Sequence, residues 1–450
     1  MPDKNTIETH DDLREPRLIP RGILWPFILL TSLFAWWAVA NNMTDTLLPA
    51  FKKILSLSDS KTANIQLVCY LFGYGFLAIP GAIFIRKYSY KSGVLLGLGL
   101  YVIGTFLFYP AGLTGNFYYF LDAIWILFSG LSILETAANP YILAMGSEET
   151  ATRRLNFAQA FNPFGAVLGV VISKYFILSK LSKATAEERA QMDPQQLQAI
   201  QEGEIGAITV TYVTIGAVLA VTWLLIALNK RMPRSGDTSG PMNLVPTFKR
   251  LMRNRNYLLG TLAQFCYVGA QIGIWSFIIR YAMVELDLEN LAKAVQGRTA
   301  EDLASTYYIA SLILFLIFRF VCTAVMKLVS PSSLLAALAV IAALLLFGTV
   351  QVGGFFGVYC LVAVSACMSL MFPTIFGLAV RGLGDDTKIA SAGQIMAIAG
   401  AAAVTQLEGF VSDRYGIAQA FWVPLICFVY IAYYAMVEAR KPAIKTEPVR

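Results

Sequence analysis

Asp45 and Glu135 are the residues that most demand a chemical explanation. Each is a carboxylate within a long apolar run, and neither has a Lys or Arg at helical spacing in its own run. Placing a charged side chain near the middle of a bilayer costs about 3 kcal/mol on insertion scales. Such a group persists where it faces a polar cavity. Burial that disfavours its charge also suits it to load and release a proton near neutral pH. The only histidine, His10, lies in the N-terminal tail, so carboxylates are the side chains left to carry protons across. Simple ion pairing is the plain alternative for both residues.

Amides accompany the acids. Asn41 and Asn42 precede Asp45 by four and three residues, on one helical face. Asn139 follows Glu135 by four and is itself followed by Pro140. Asn156, Gln159 and Asn162 recur at threes, and Gln264, Gln271 and Trp275 follow sevens and fours. Carboxylates, amides and an indole match the needs of a neutral polyol or sugar. Its hydroxyls take paired donors and acceptors, and its apolar ring face stacks on an aromatic. The candidate substrate contacts are therefore Asn41, Asn42, Asn139, Gln159, Asn162, Gln264, Gln271 and Trp275. Amides in membranes also stitch helices together at about 1 kcal/mol per bond, and both readings stand at this stage. Trp275 could equally be a packing aromatic. Arg319, deep in its run, is expected to pair near an inner gate.

These residues need helices to hold them across a bilayer. The chain has 450 residues, 57% hydrophobic and only 14% charged, where a soluble domain is nearer a quarter charged. Apolar runs long enough for about 30 Å of hydrocarbon recur throughout. We read twelve spans: 24–51, 63–86, 92–110, 117–146, 155–179, 205–229, 257–284, 303–327, 332–350, 354–380, 389–411 and 417–438. The fold class is an all-α membrane protein of two six-helix bundles. The N-terminal bundle covers 22–229 with an outer loop at 180–204. A basic linker at 230–256 leads to the C-terminal bundle, 257–439. Tails at 1–21 and 440–450 flank them, and no cleavable signal peptide is evident. Most of the 35 Lys and Arg fall on one side if both termini and the linker are cytoplasmic. The loop at 180–204 is then outside.

The halves read as a diverged repeat. Val39-Ala-Asn-Asn42 in span 1 answers Gly269-Ala-Gln271 in span 7, and Asn139-Pro140 in span 4 answers Phe372-Pro373 in span 10. Both prolines are expected to bend their helices. Two repeats facing each other around a midplane site is a transporter plan. In this reading the acidic pair belongs to the first half alone. Gly165 and Gly169 form a small-xxx-small packing pattern in span 5. The six cysteines lie in apolar runs without a CxxC pair and read as small hydrophobes. No metal or cofactor site is expected, and the net charge of +7 needs no nucleic-acid partner.

Several stretches carry a family resemblance. Val39-Ala-Asn-Asn-Met-Thr-Asp-Thr-Leu-Leu-Pro49, Leu134-Glu-Thr-Ala-Ala-Asn-Pro140 and Leu155-Asn-Phe-Ala-Gln-Ala-Phe-Asn162 are among them. So are Ala263-Gln-Phe-Cys-Tyr-Val-Gly-Ala-Gln271, Ser276-Phe-Ile-Ile-Arg-Tyr-Ala282, Phe372-Pro-Thr-Ile-Phe376 and Gly409-Phe-Val-Ser-Asp413. In order along nearly the whole chain, they resemble the fucose permease family of major facilitator transporters. The resemblance implies proton-coupled uptake of L-fucose or a related hexose through a bacterial inner membrane, by a monomer. It implies that Asp45 and Glu135 are the coupling pair, and it matches Gln159 and Asn162 to the family's polar span 5 residues. The chain departs at span 8, where Phe318-Arg319-Phe320-Val321-Cys322 replaces the family's glycines, and in the loop after span 2, which lacks the usual Asp. The alternatives are a uniporter or sodium-coupled carrier of glucose or galactose, and, from another class, a sugar sensor. Neither tail has room for a signalling domain. An enzyme is disfavoured because no Ser/His/Asp or His-rich constellation is present.

Overall fold

The computed structural model describes residues 18–20, 22–55, 67–182, 184, 188–189, 191–233, 244–288 and 300–441. Within these, the side chains of 45–49, 52–53, 67–71 and 300–302 lie outside the described set. The described residues are helical and contain no strand.

The N-terminal half begins with α1 (Leu24–Ile54). Span 2 is a π-helical stretch, Leu67–Phe76, continued by α2 (Leu77–Lys87). Next come α3 (Tyr90–Thr114) and α4 (Phe117–Ala144). Span 5 is broken into α5 (Ala151–Gln159) and α6 (Asn162–Ile172), with a π turn at Ser173–Ile177. Span 6 is α7 (Pro194–Leu228), which starts well before the expected boundary and takes in much of the polar loop. A short amphipathic helix, α8 (Leu244–Arg253), ends the linker.

The C-terminal half comprises α9 (Arg255–Glu285), α10 (Ala300–Val325) and α11 (Pro331–Val352). Span 10 is split into α12 (Gly354–Met368) and α13 (Met371–Ala379). Span 11 is α14 (Thr387–Met396), a 3-10 turn at Ala397–Ala399 and α15 (Gly400–Tyr415). The short α16 (Ile417–Ala420) and α17 (Trp422–Ala439) complete span 12. Among the described residues, eleven of the spans are apolar helical stretches long enough to cross a bilayer, and the π-helical stretch with α2 supplies the twelfth.

Local chemistry sets the boundaries. Ser89, Asn116, Asp193, Asn254 and Ser330 each accept a backbone N–H of the first turn that follows, satisfying donors that a helix start leaves open. Gly115 ends α3 at φ 64°, a left-handed conformation that favours glycine. The two prolines sit differently. Helix α4 runs continuously through Pro140, whereas span 10 breaks at Ser369–Leu370, just before Pro373.

Glycine brings spans 1 and 5 together. A Cβ at Gly165 would collide with the Ala35 carbonyl oxygen, and one at Gly169 would stand 2.7 Å from that of Val39. The small-xxx-small pattern is thus a backbone-to-backbone contact within the first half. A polar clasp shapes the loop after span 5. Buried Arg189 donates from Nη1 to Glu204 Oε2 (3.0 Å) and from Nη2 to Oε1, and the Ser182 N–H donates to the same carboxylate (2.7 Å).

The halves meet chiefly toward the side that bears the linker. There α14 packs on α2 and α4, and α13 packs on α5. Asn156 Nδ2 donates to Thr374 Oγ1 (3.0 Å), both side chains fully buried. The Gly382 N–H donates to Glu148 Oε1 (3.2 Å). Arg86 Nη1 donates to Thr247 Oγ1 (2.7 Å), while Arg250 holds Asp386 through Nε (2.7 Å) and Nη2 (2.8 Å). Thr247 also donates to Asp386 (3.1 Å). One carboxylate thereby ties together span 2, the linker helix and the start of span 11. Asp386 in turn stabilises the charged Arg250 guanidinium, whose pKa is raised by that hydrogen bond. The linker side is closed by these contacts.

Candidate functional site

Helix α4 places Glu135 among buried side chains, itself 4% exposed. Its Oε1 accepts a hydrogen bond from Tyr74 Oη at 2.7 Å. Tyr74 stands between Gly73 and Gly75 in the π-helical part of span 2. One turn beyond Glu135, Asn139 donates from Nδ2 to the Glu135 carbonyl (3.0 Å), and its Oδ1 accepts from Gln159 Nε2 (2.8 Å). Tyr74, Glu135, Asn139 and Gln159 therefore form one buried polar row across spans 2, 4 and 5. The Gln159 Oε1 is left to accept a further donor.

Gln159 ends α5 and Asn162 opens α6. Asn162 Nδ2 donates to the Phe34 carbonyl of α1 (3.2 Å), so one amide spans the break and fixes span 5 against span 1. Asn42 Nδ2 turns back to its own helix at Ala38 O (2.9 Å). Asn41 is half-buried, and its Oδ1 has no hydrogen-bond partner. Asp45 lies on the same helix, and its side chain is outside the described residues.

The second half presents a different set. Gln264 is fully buried, and neither its Oε1 nor its Nε2 has a partner. Buried amides normally find one, so this group has hydrogen-bonding capacity to offer. Gln271 is half-buried on the same helix. Trp275 donates from Nε1 to Ser365 Oγ (3.2 Å), and its ring meets Phe315 edge-on at 5.1 Å. The indole is thus anchored in an aromatic cluster of the second half.

Four findings depart from the sequence reading or extend it. The acids are not confined to the first half, because Glu408 on α15 is fully buried. Arg319 is also buried, but its Nε and Nη1 have no partner and its guanidinium lies 5.0 Å from the Phe315 ring centroid, so the expected ion pair is replaced by a cation–π contact. Asn156 serves the junction between halves. Tyr74 escaped notice because a tyrosine in an apolar run reads as packing. Its flanking glycines, in a chain with a buried acid to satisfy, were the available signal.

Two helical halves, a polar row on spans that face the opposite half, and closure on one side define a membrane carrier. The model of the Major Facilitator Superfamily matches residues 27–403, and the chain belongs to that family. It is 37% identical over 429 residues to an L-fucose-proton symporter of Haemophilus influenzae, covering 93% of this chain and 97% of the relative. It is 39% identical over 419 residues to the L-fucose-proton symporter of Escherichia coli, covering 92% and 93%. A glucose/galactose transporter of Brucella abortus is 31% identical over 435 residues, covering 97% and 99%. Among solved structures, the major facilitator transporter FucP in the outward conformation superposes with a TM-score of 0.85 at 38% identity, covering 94% of this chain and all of that one. The protein is a multi-pass membrane transporter and not an enzyme.

Proposed function

We propose that this protein is a proton-coupled sugar symporter that works by alternating access, with L-fucose or a related hexose as its substrate. The observation that carries the reading is the buried Tyr74–Glu135–Asn139–Gln159 row. It places a carboxylate that can hold a proton one helical turn from amides that can bind a hydroxyl. The near-complete coverage of two L-fucose-proton symporters supports the same reading and ranks L-fucose ahead of glucose and galactose.

In this reading Asp45 and Glu135 carry the coupled proton. An ionised Glu135 accepts from Tyr74; a protonated one can donate to it instead, while Asn139 and Gln159 stay hydrogen-bonded through the Glu135 backbone carbonyl. Gln159, Asn162 and Asn139 offer hydroxyl contacts from the first half, with Asn41 and Asn42 above them. Gln264 and Gln271 offer amides from the second half, and Trp275 offers an indole face. Protonation neutralises the pair and favours closure around the sugar; release of the proton resets it.

The termini and the linker are cytoplasmic in this proposal, as loop charge favours. The closed linker side is then the cytoplasmic side, and the structure is outward-facing. The likeness to an outward-conformation transporter agrees with this. The protein acts as a monomer in a bacterial inner membrane, with lipid around its exposed apolar helices. The test is uptake of labelled L-fucose, D-galactose and D-glucose into proteoliposomes, with and without an inward pH gradient. Accumulation of L-fucose that needs the pH gradient is expected. Equal uptake with no gradient, or dependence on sodium alone, overturns the proposal.

A further inference from the structure

Glu408 is used by nothing described so far. It lies on α15, fully buried, and neither carboxylate oxygen has a hydrogen-bond partner. An ionised carboxylate so placed, with no cation against it, is far more costly to bury than a neutral carboxylic acid. Among the described residues, the surrounding elements supply no compensating charge. Helix α9 turns Gly273 toward it, so closely that a Cβ at that position would collide with Oε2. The cation that follows on α9, Arg280, lies over the Phe277 ring instead, 5.4 Å from its centroid. Helix α17, which also packs on α15, carries the buried free thiol of Cys427. The 3-10 turn Ala397–Ala399 and helix α16 bear no titratable side chain. On α15 itself, Asp413 and Arg414 are exposed beyond the buried stretch.

The packing around Glu408 is a glycine seam. A Cβ at Gly269 would strike Val404, one at Gly400 would strike the Phe265 carbonyl, and one at Gly273 would strike Glu408. Helix α15 follows the 3-10 turn as a separate rod. A smooth seam with a break at its root lets one helix part from the other while α14 stays packed on the first half.

We propose that Glu408 is a second proton-binding site, in the C-terminal half, occupied by a proton in this conformation and titrating when α15 parts from α9. Closing the seam expels water from the carboxyl and requires the proton. Opening the seam hydrates the group and lets the proton leave. The proton and the seam are thereby linked in both directions. The inference rests on the alternating-access reading only for when the seam opens, and the first measurement below needs no transport.

Infrared spectra of the lipid-reconstituted protein would be recorded for wild type, Glu135→Gln and the double variant Glu135→Gln/Glu408→Gln. At neutral pH a carboxylic-acid carbonyl band should remain in Glu135→Gln and be lost with Glu408→Gln. Spin labels at Val284 on α9 and Phe410 on α15 then report the seam. In the Glu135→Gln background the label distance should grow on raising the pH from neutral to alkaline, and Glu408→Gln should abolish that response. If Glu408→Gln does not fold, Gly273→Ala should hold the labels apart already at neutral pH and remove the same infrared band. Absence of a Glu408-dependent band overturns the proposal. So does a pH response of the seam that is unchanged by Glu408→Gln, or a seam that stays closed in Gly273→Ala.

Discussion

Thr374→Val tests whether closure of the linker side depends on bonds between the halves. The Thr374 hydroxyl accepts from Asn156 Nδ2 at 3.0 Å, across the junction of spans 5 and 10, with both side chains fully buried. Valine keeps the shape and removes the hydroxyl. The Asn156 amide still donates to the Thr152 carbonyl at 2.9 Å, but the long contact from the Thr374 hydroxyl to Asn156 Oδ1 (3.4 Å) goes as well, so the loss is at least that of one neutral hydrogen bond. Such a bond contributes about 0.5–1.5 kcal/mol. Because it exists only while the linker side is shut, its removal should shift the closed-to-open ratio by about two- to twelve-fold toward linker-side opening. Spin labels at the exposed Glu149 and Asp385, one on each half, would measure that ratio from their distance distribution. Retained thermal stability would separate the effect from unfolding. A ratio unchanged, or shifted toward closure, would refute the claim that this contact helps to hold the halves together.

Other consequences follow from the same geometry. Gln159→Ala removes the amide that pairs with Asn139 and offers an oxygen to the sugar. Binding measured by quenching or calorimetry should weaken by about five- to thirty-fold, for a hydrogen bond of about 1–2 kcal/mol; unchanged affinity in folded protein would make Gln159 a packing residue. Gly165→Ala places a methyl into the Ala35 carbonyl oxygen, and overpacking of this kind costs about 1–3 kcal/mol. Its melting temperature should fall further than that of Gly169→Ala, whose contact is looser, and the reverse order would contradict the described seam. A Ser182→Cys probe, in a background without native cysteines, should react with a membrane-impermeant thiol reagent from the periplasmic face. Reaction from the cytoplasmic face alone would invert the orientation.

The spans were legible because apolar length and helical spacing are local properties. Gly165 and Gly169 announced their contact for the same reason, since four residues on a helix define a face. Pairings made by tertiary structure were not legible. Tyr74 reaches Glu135 across 61 positions, and Asn156 reaches Thr374 across 218. Tyr74 and Thr374 are ordinary packing residues until the fold brings them to their partners. Glu408 was overlooked because it sits in a mixed polar stretch toward the end of its span, where an acid reads as solvated. Its burial comes from Gly273 on another helix. Pro140 lies within a continuous helix, and Pro373 follows a break.

The claim that the Glu135 carboxyl couples proton to sugar is tested most directly by Glu135→Gln in proteoliposomes. The variant keeps the side-chain length and an oxygen that can accept from Tyr74, but it cannot exchange a proton. With an inward pH gradient it should fail to accumulate L-fucose, while still exchanging labelled for unlabelled sugar across the membrane. Accumulation equal to wild type, driven by the same pH gradient, would show that Glu135 is a structural acid and contradict the account.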